Sequence, residues 1–116
     1  MKYRLLPSTN RAPLTSRRCS GEPGRLDLKT IRSLAKGISA KWKIKGKPQL
    51  ERGFKFPDFK KAWNITNKVG KVAEQQQHHL EIFLSYGEVR LNLSTHQAGG
   101  LSDNDFIMAA KIDQLG

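Results

Sequence analysis

From Asp27 onward the apolar side chains fall into regular periods, and each change of period marks a boundary between elements. Leu28, Ile31, Leu34, Ala35 and Ile38 recur at steps of three and four, which predicts a helix with Asp27 as its N-cap and Gly37 weakening its end. Alternation follows. Trp42 and Ile44 are interleaved with Lys41, Lys43 and Lys45, Gly46-Lys47-Pro48 supplies a turn, and Leu50, Phe54 and Phe56 then share one parity, so the stretch reads as a hairpin of two half-buried strands. Pro57 suits the first turn of a second helix, whose stripe is Phe59, Ala62, Trp63, Thr66, Val69 and Ala73. That helix runs toward Gln77 and is expected to carry His78 and His79 at its C-terminal end.

Alternation then resumes. Leu80, Ile82, Leu84 and Tyr86 lie on one parity, Gly87 marks a turn, and Val89, Leu91, Leu93 and Thr95 form the apolar side of the facing strand. His96 falls on the opposite parity, with Arg90, Asn92 and Ser94. After Gly99-Gly100, Ser102 and Asp105 have the spacing of a capping box opening a last helix whose broad apolar flank includes Ile107, Met108, Ala110 and Ile112. The order is therefore α-β-β-α-β-β-α. An α+β fold is expected, a four-stranded antiparallel sheet with the three helices packed on one face. Uncovered sheet edges invite pairing with a second copy, so a homo-oligomer is expected.

Residues 1–25 show no defensible period. They contain three prolines, several serines and one acid, and read as an N-terminal extension ahead of a domain over 26–116. An acid-poor start containing Arg and Ser also admits an organelle-targeting segment, although prolines at 7 and 13 and the lack of an amphipathic helix favour a plain extension; a cytoplasmic protein is expected, with an organelle or the nucleus as the alternative location. At 116 residues the chain has room for one domain, which buries roughly 65% of its unfolded surface. No apolar run approaches the ~20 residues needed to span a bilayer. Cys19 stands alone and cannot form an internal disulfide.

Charge divides the chain. The formal net charge is +11, yet residues 29–71 hold thirteen Lys or Arg against Glu51 and Asp58, while residues 72–116 hold only Arg90 and Lys111 against six acids. A basic surface can attract nucleic acid, an anionic membrane or a phosphorylated partner. Here the interleaved Trp42, Phe54, Phe56 and Phe59 have the parity of core residues, so nucleic acid is not the expected partner.

All three histidines lie in the less basic part, in Ala73-Glu74-Gln75-Gln76-Gln77-His78-His79 and in Ser94-Thr95-His96-Gln97-Ala98-Gly99-Gly100-Leu101-Ser102. Imidazoles at a helix end and a strand end can converge on one site, and histidine both gives and takes protons near neutral pH. Zinc is disfavoured, since adjacent histidines diverge and no cysteine or well-spaced carboxylate completes a ligand set. Four residues separate Glu74 from His78, so on a continuous helix the carboxylate reaches that ring.

These blocks, together with Phe54-Lys55-Phe56-x-Asp58-Phe59, Tyr86, Val89, Asp105 and the closing Ala109-Ala110-Lys111-Ile112-Asp113, closely resemble the pterin-4a-carbinolamine dehydratases over about residues 27–115. The resemblance implies the α-β-β-α-β-β-α fold, with subunits joining sheet edges into dimers and often tetramers. It also implies a lyase that dehydrates 4a-hydroxytetrahydropterin to quinonoid dihydropterin without metal or organic cofactor, recycling tetrahydrobiopterin for aromatic amino-acid hydroxylases. Carried over, His78, His79 and His96 are the catalytic positions with Glu74. His78, His79, Leu80, Thr95, His96, Gln97 and Ala98 contact the pterin, with Trp42 bordering the site. His79 is the expected principal proton-transfer group, His96 its partner across the ring, and His78 with Glu74 orienting. The chain departs from the family's pattern at Leu80, where proline is common, at Ile82, commonly aromatic, and at Leu84, often asparagine. Some vertebrate relatives also stabilise the dimer of a homeodomain transcription factor. A non-catalytic binding module or coactivator that stabilises a partner's dimer is therefore the competing expectation.

Overall fold

The structure, a computed structural model, describes residues 14–21, 23–46 and 48–115. The α-β-β-α-β-β-α order read from the sequence is present: α1 Leu28–Ala35, β1 Lys43–Lys45, β2 Gln49–Lys55, α2 Phe59–Gln76, β3 Glu81–Ser85, β4 Glu88–Leu93 and α3 Asp103–Asp113. The four strands form one antiparallel sheet in the order β1-β2-β4-β3, which leaves β1 and β3 at its edges. Its register sets Ile44 beside Leu50, Leu50 beside Leu93, and Leu91 between Arg52 and Ile82, so one parity of every strand lies on a common face.

That face meets the helices. Leu50, Val89, Leu91 and Leu93 are buried against Ala62, Ile65, Val69 and Ala73 of α2, against Phe106, Met108, Ala109 and Ile112 of α3, and in the same cluster as Ile31 of α1. Burial of this kind is worth roughly 1.5–3 kcal/mol for each large side chain and is the main reason the layers associate. The opposite face carries Lys43, Glu51, Arg90, Asn92 and Glu81 and is not covered by a helix. Asp27 caps α1 through the Thr30 N–H at 2.8 Å, a bond that holds its carboxyl below the usual carboxylate range. Asp58 caps α2 through the Lys61 N–H at 2.9 Å.

Two details of α2 differ from the expectation. Pro57 precedes the cap and lies outside the first turn, because the carboxylate of Asp58 satisfies the orphan amide there. The buried stripe is Ala62-Ile65-Val69-Ala73, which displaces Phe59 and Trp63 to its margin. Those two rings are 42% and 50% exposed, their centroids 6.0 Å apart, and they form an apolar patch on the outer side of the helix.

Trp42 also has a different place. It is buried in the core, where its indole N–H donates to Asp113 at 2.8 Å, and Asp113 also accepts from the Ser39 amide at 2.7 Å. The guanidinium of Arg52, an ion-pair partner of Asp113, rests 4.3 Å from the Phe54 ring centre. An arginine thus occupies an apolar-face position of β2, kept there by a carboxylate from α3 and aromatic faces.

Part of the N-terminal extension lies on the domain; residues 1–13 fall outside the described ones. Lys111 Nζ donates to Thr15 O at 2.8 Å, and the Ser20 amide donates to Asn104 Oδ1 at 2.7 Å. This cover explains why α3 is buried almost all round, from Asn104 to Ala110 and again at Ile112. The thiol of Cys19 lies within the same packing, and burial pushes it up to about 11, partly opposed by Lys111. A thiol raised to that value leaves ~10²-fold less thiolate at a given pH. Disulfide-exchange reagents at pH 8 are accordingly expected to label native Cys19 about 100-fold more slowly than the urea-unfolded chain, and equal rates would show that the segment does not cover it. Among the described residues no helix is long and apolar enough to cross a membrane.

Candidate functional site

The histidine pair does not ride on α2, because the helix stops two residues earlier. Gln77 adopts a left-handed conformation with φ 52°, a costly choice for a residue with a side chain. Its amide donates to Glu74 O at 3.3 Å and the His78 amide to Ala73 O at 3.2 Å, closing the last turn, while the Gln77 side-chain amide donates to Glu74 O at 2.7 Å. The chain then leaves the helix and runs through residues 78–80 into β3, and the two neighbouring histidines turn to different partners.

The two rings are thus separated. His78 turns inward, is 9% exposed, and its Nε2 shares a hydrogen bond of 2.8 Å with Asp105 Oδ1. His79 stays outside with Nε2 2.5 Å from Glu74 Oε2. The helical Glu74–His78 pair expected from spacing is therefore replaced by Glu74–His79, since a four-residue contact requires helix through His78 and the helix ends at Gln76.

Asp105 is fully buried and gathers three donors. Besides His78 it accepts the Thr95 hydroxyl at 2.8 Å and the Ser102 amide at 3.0 Å, and the Thr95 and Ser102 hydroxyls are 2.7 Å apart. Ser102–Asp105, read from the sequence as a helix-opening pair, is thus also the foundation under His78. A carboxylate so placed costs desolvation that only a full set of donors offsets.

Above this network, on the uncovered sheet face, lies a cavity of about 290 Å³ lined by Gln49, His79, Leu80, Glu81, Asn92, Ser94 and His96. Such a volume sits at the lower end of ordinary small-ligand pockets, ~300–1,000 Å³. His79 and Leu80 come from the link into β3, Glu81 from β3 itself, Asn92 and Ser94 from the end of β4 and just beyond it, and His96 from the 3₁₀ turn His96–Ala98. A left-handed Gly99 with φ 71° and the paired Thr95 and Gly100 close that turn, with the Thr95 amide donating to Gly100 O at 2.7 Å.

Of the residues expected at the site, His79, Leu80 and His96 line this cavity and Glu74 reaches it through His79. His78 and Thr95 belong instead to the Asp105 network, and neither they nor Gln97, Ala98 and Trp42 are among the cavity's lining residues. Gln49, Glu81, Asn92 and Ser94 complete the lining and are absent from the site residues expected from the sequence. A signal existed for two of them, since Asn92 and Ser94 share the parity of His96. Gln49 reaches the cavity through the pairing of β2 with β4, which no local pattern encodes. Among the described residues no group of three His, Cys, Asp or Glu side chains gathers as a metal site. The arrangement places two exposed imidazoles around one small cavity, one of them fixed at Nε2 by a carboxylate, and such a pair can give and take protons on a single bound molecule.

Comparison with known proteins gives concordant results. The family profile described as Pterin 4 alpha carbinolamine dehydratase matches residues 25–115. A protein of Rickettsia canadensis, provisionally named a pterin-4-alpha-carbinolamine dehydratase, is 37% identical over 95 residues, covering 82% of this chain and 87% of its own. A protein of Alkaliphilus metalliredigens with the same provisional name is 44% identical over 77 residues, 66% of this chain and 69% of its own. A crystal structure of a transcriptional coactivator/pterin dehydratase from Brucella melitensis superposes with a TM-score of 0.71 at 30% identity, covering 77% of this chain and 95% of that one. A pterin dehydratase-like RuBisCO assembly factor of the alpha-carboxysome shares the fold, with a TM-score of 0.56 at 21% identity over 65% of this chain and 88% of that one.

Proposed function

This chain belongs to the pterin 4 alpha carbinolamine dehydratase family, and from that premise we propose that it is a lyase dehydrating 4a-hydroxytetrahydropterin, 4a-hydroxytetrahydrobiopterin in the recycling of tetrahydrobiopterin, to quinonoid dihydropterin and water. The observation that carries the reading is that His79 and His96, from separate parts of the chain, line one cavity. Dehydration breaks the bond between C4a and its hydroxyl oxygen and removes the proton on N5, so that a C4a–N5 double bond forms. One imidazolium protonates the departing hydroxyl and one neutral imidazole accepts the N5 proton. Each well-placed transfer is typically worth ~10²–10⁴-fold in rate.

The surrounding contacts divide the labour. Glu74, bonded to His79 Nε2, fixes the orientation of that ring and leaves Nδ1 to exchange a proton. His79 is the principal proton-transfer group and His96 its partner across the pterin. His78, bonded to Asp105, anchors the short link on which His79 and Leu80 stand and so acts as a positioning residue. The polar groups of Gln49, Glu81, Asn92 and Ser94 suit a bicyclic ring rich in N–H donors and a carbonyl acceptor. The edge strands β1 and β3 support association of copies through their sheet edges into dimers or tetramers, in the cytoplasm.

A hydroxylase-coupled assay tests the reaction. Purified protein is expected to accelerate quinonoid dihydropterin formation well above the spontaneous rate, and a rate equal to the spontaneous one contradicts the reading. The exposed Phe59–Trp63 pair supports the competing reading of a binding module that stabilises a partner's dimer, and that module predicts no acceleration.

A further inference from the structure

We propose that residues 14–20 and their buried acceptor Asn104 form a strap that positions the histidine link, a role that rests on the dehydratase reading for its catalytic consequence but not for its structural one. Two consecutive strap residues bind the two elements that meet at His78. The Cys19 amide donates to Gln76 Oε1 at 3.0 Å, on the last residue of α2 and two residues before His78. At the next strap position the Ser20 amide donates to Asn104 Oδ1 at 2.7 Å, and Asn104 Nδ2 donates back to Ser20 O at 2.8 Å. Asn104 is 2% exposed and directly precedes Asp105, the carboxylate on which His78 rests.

His78 is therefore held between the end of α2 and the start of α3, and the strap ties those two ends to each other from the outside. The contact spans 84 residues of sequence, so no local preference of α2 or α3 imposes it. Its two-bond amide pairing copies the geometry of a strand bridge and fixes distance and orientation together. Lys111 Nζ donating to Thr15 O at 2.8 Å and Arg17 3.5 Å from Asp103 extend the same seam along α3. The strap precedes residues 25–115, the span that matches the family profile. Its effect is carried to the cavity by the direct succession of His79 upon His78, where displacements near 1 Å cost up to ~10²-fold in rate.

A double-mutant cycle on the full chain tests the strap. Ser20→Pro removes the strap's amide donor together with the Ser20 hydroxyl, Asn104→Ala removes both bonds of the amide pair, and Gln76→Leu is a milder third variant that keeps side-chain volume. Each is expected to accelerate amide hydrogen exchange at Gln77, His78, His79 and Leu80 about tenfold or more, beyond any change elsewhere in α2 and α3. The pair Ser20→Pro with Asn104→Ala is expected to be non-additive. In the dehydratase assay the same variants are expected to lower kcat about tenfold with KM within about twofold. Exchange changes that are uniform across the domain, or confined to residues 14–21, or additive in the double mutant, overturn the strap. Absence of activity in the unaltered chain counts against the reaction alone, because the exchange measurement decides the strap without it.

Discussion

His79→Ala is expected to lower turnover by at least ~10²-fold while shifting the melting temperature by only a few degrees. The rate estimate follows from the usual worth of a positioned acid–base group. The small stability change follows from exposure, since the His79 side chain is 60% accessible and its partner Glu74 is 72% accessible, so their solvent-exposed contact contributes little to folding. Steady-state kinetics beside thermal unfolding separates the two effects. Turnover like that of the unaltered chain removes His79 from the proton-transfer role, and a large fall in melting temperature transfers the loss of activity to misfolding. Glu74→Gln is expected to give a smaller loss in kcat, because the amide oxygen still accepts a bond from His79 Nε2 while the charge is gone.

Asp105→Ala is expected to have the opposite profile, with a large loss of stability that carries activity with it. Its carboxylate is fully buried and satisfies His78, the Thr95 hydroxyl and the Ser102 amide. Truncation strands all three donors, at roughly 3–5 kcal/mol in total. Domains of this size are stable by only about 5–15 kcal/mol, so the loss corresponds to a melting temperature lower by roughly 10–20 °C. Calorimetric unfolding checks this, and a melting temperature within about 3 °C of the unaltered chain contradicts the assigned network. Asp105→Asn, which keeps shape and one acceptor oxygen, is expected to fall between the two.

The strands and helices were legible because their periods were clean. Val89, Leu91 and Leu93 alternate, are buried, and mark β4, and the predicted cap Asp27 stands where an orphan amide needs an acceptor, whereas the cap of α2 is Asp58 and not a first turn opened by Pro57. The course of the chain after α2 was not legible, and it decides the site. Glu74 and His78 have helical spacing, but a left-handed Gln77 ends the helix and exchanges the partners of both histidines. Glycine usually marks such a turn, and its absence hid the break. Arg52 and Trp42 show a second limit. Alternation assigns a parity without revealing that an arginine on the apolar side is matched by Asp113, 61 residues later. The burial of Cys19 and Asn104 in each other's packing is of the same long-range kind, and a proline-containing extension gave no local sign of it.

The central claim is that the cavity between His79 and His96 is where the pterin is held. Titrating a 7,8-dihydropterin into protein with isotopically labelled histidine rings, and following the ring resonances by NMR, tests it most directly. Large shifts are expected at His79 and His96, with a smaller one at His78, which precedes His79 and does not line the cavity. Saturating ligand that leaves both outer rings unmoved, or moves only resonances along the outer side of α2, contradicts the account.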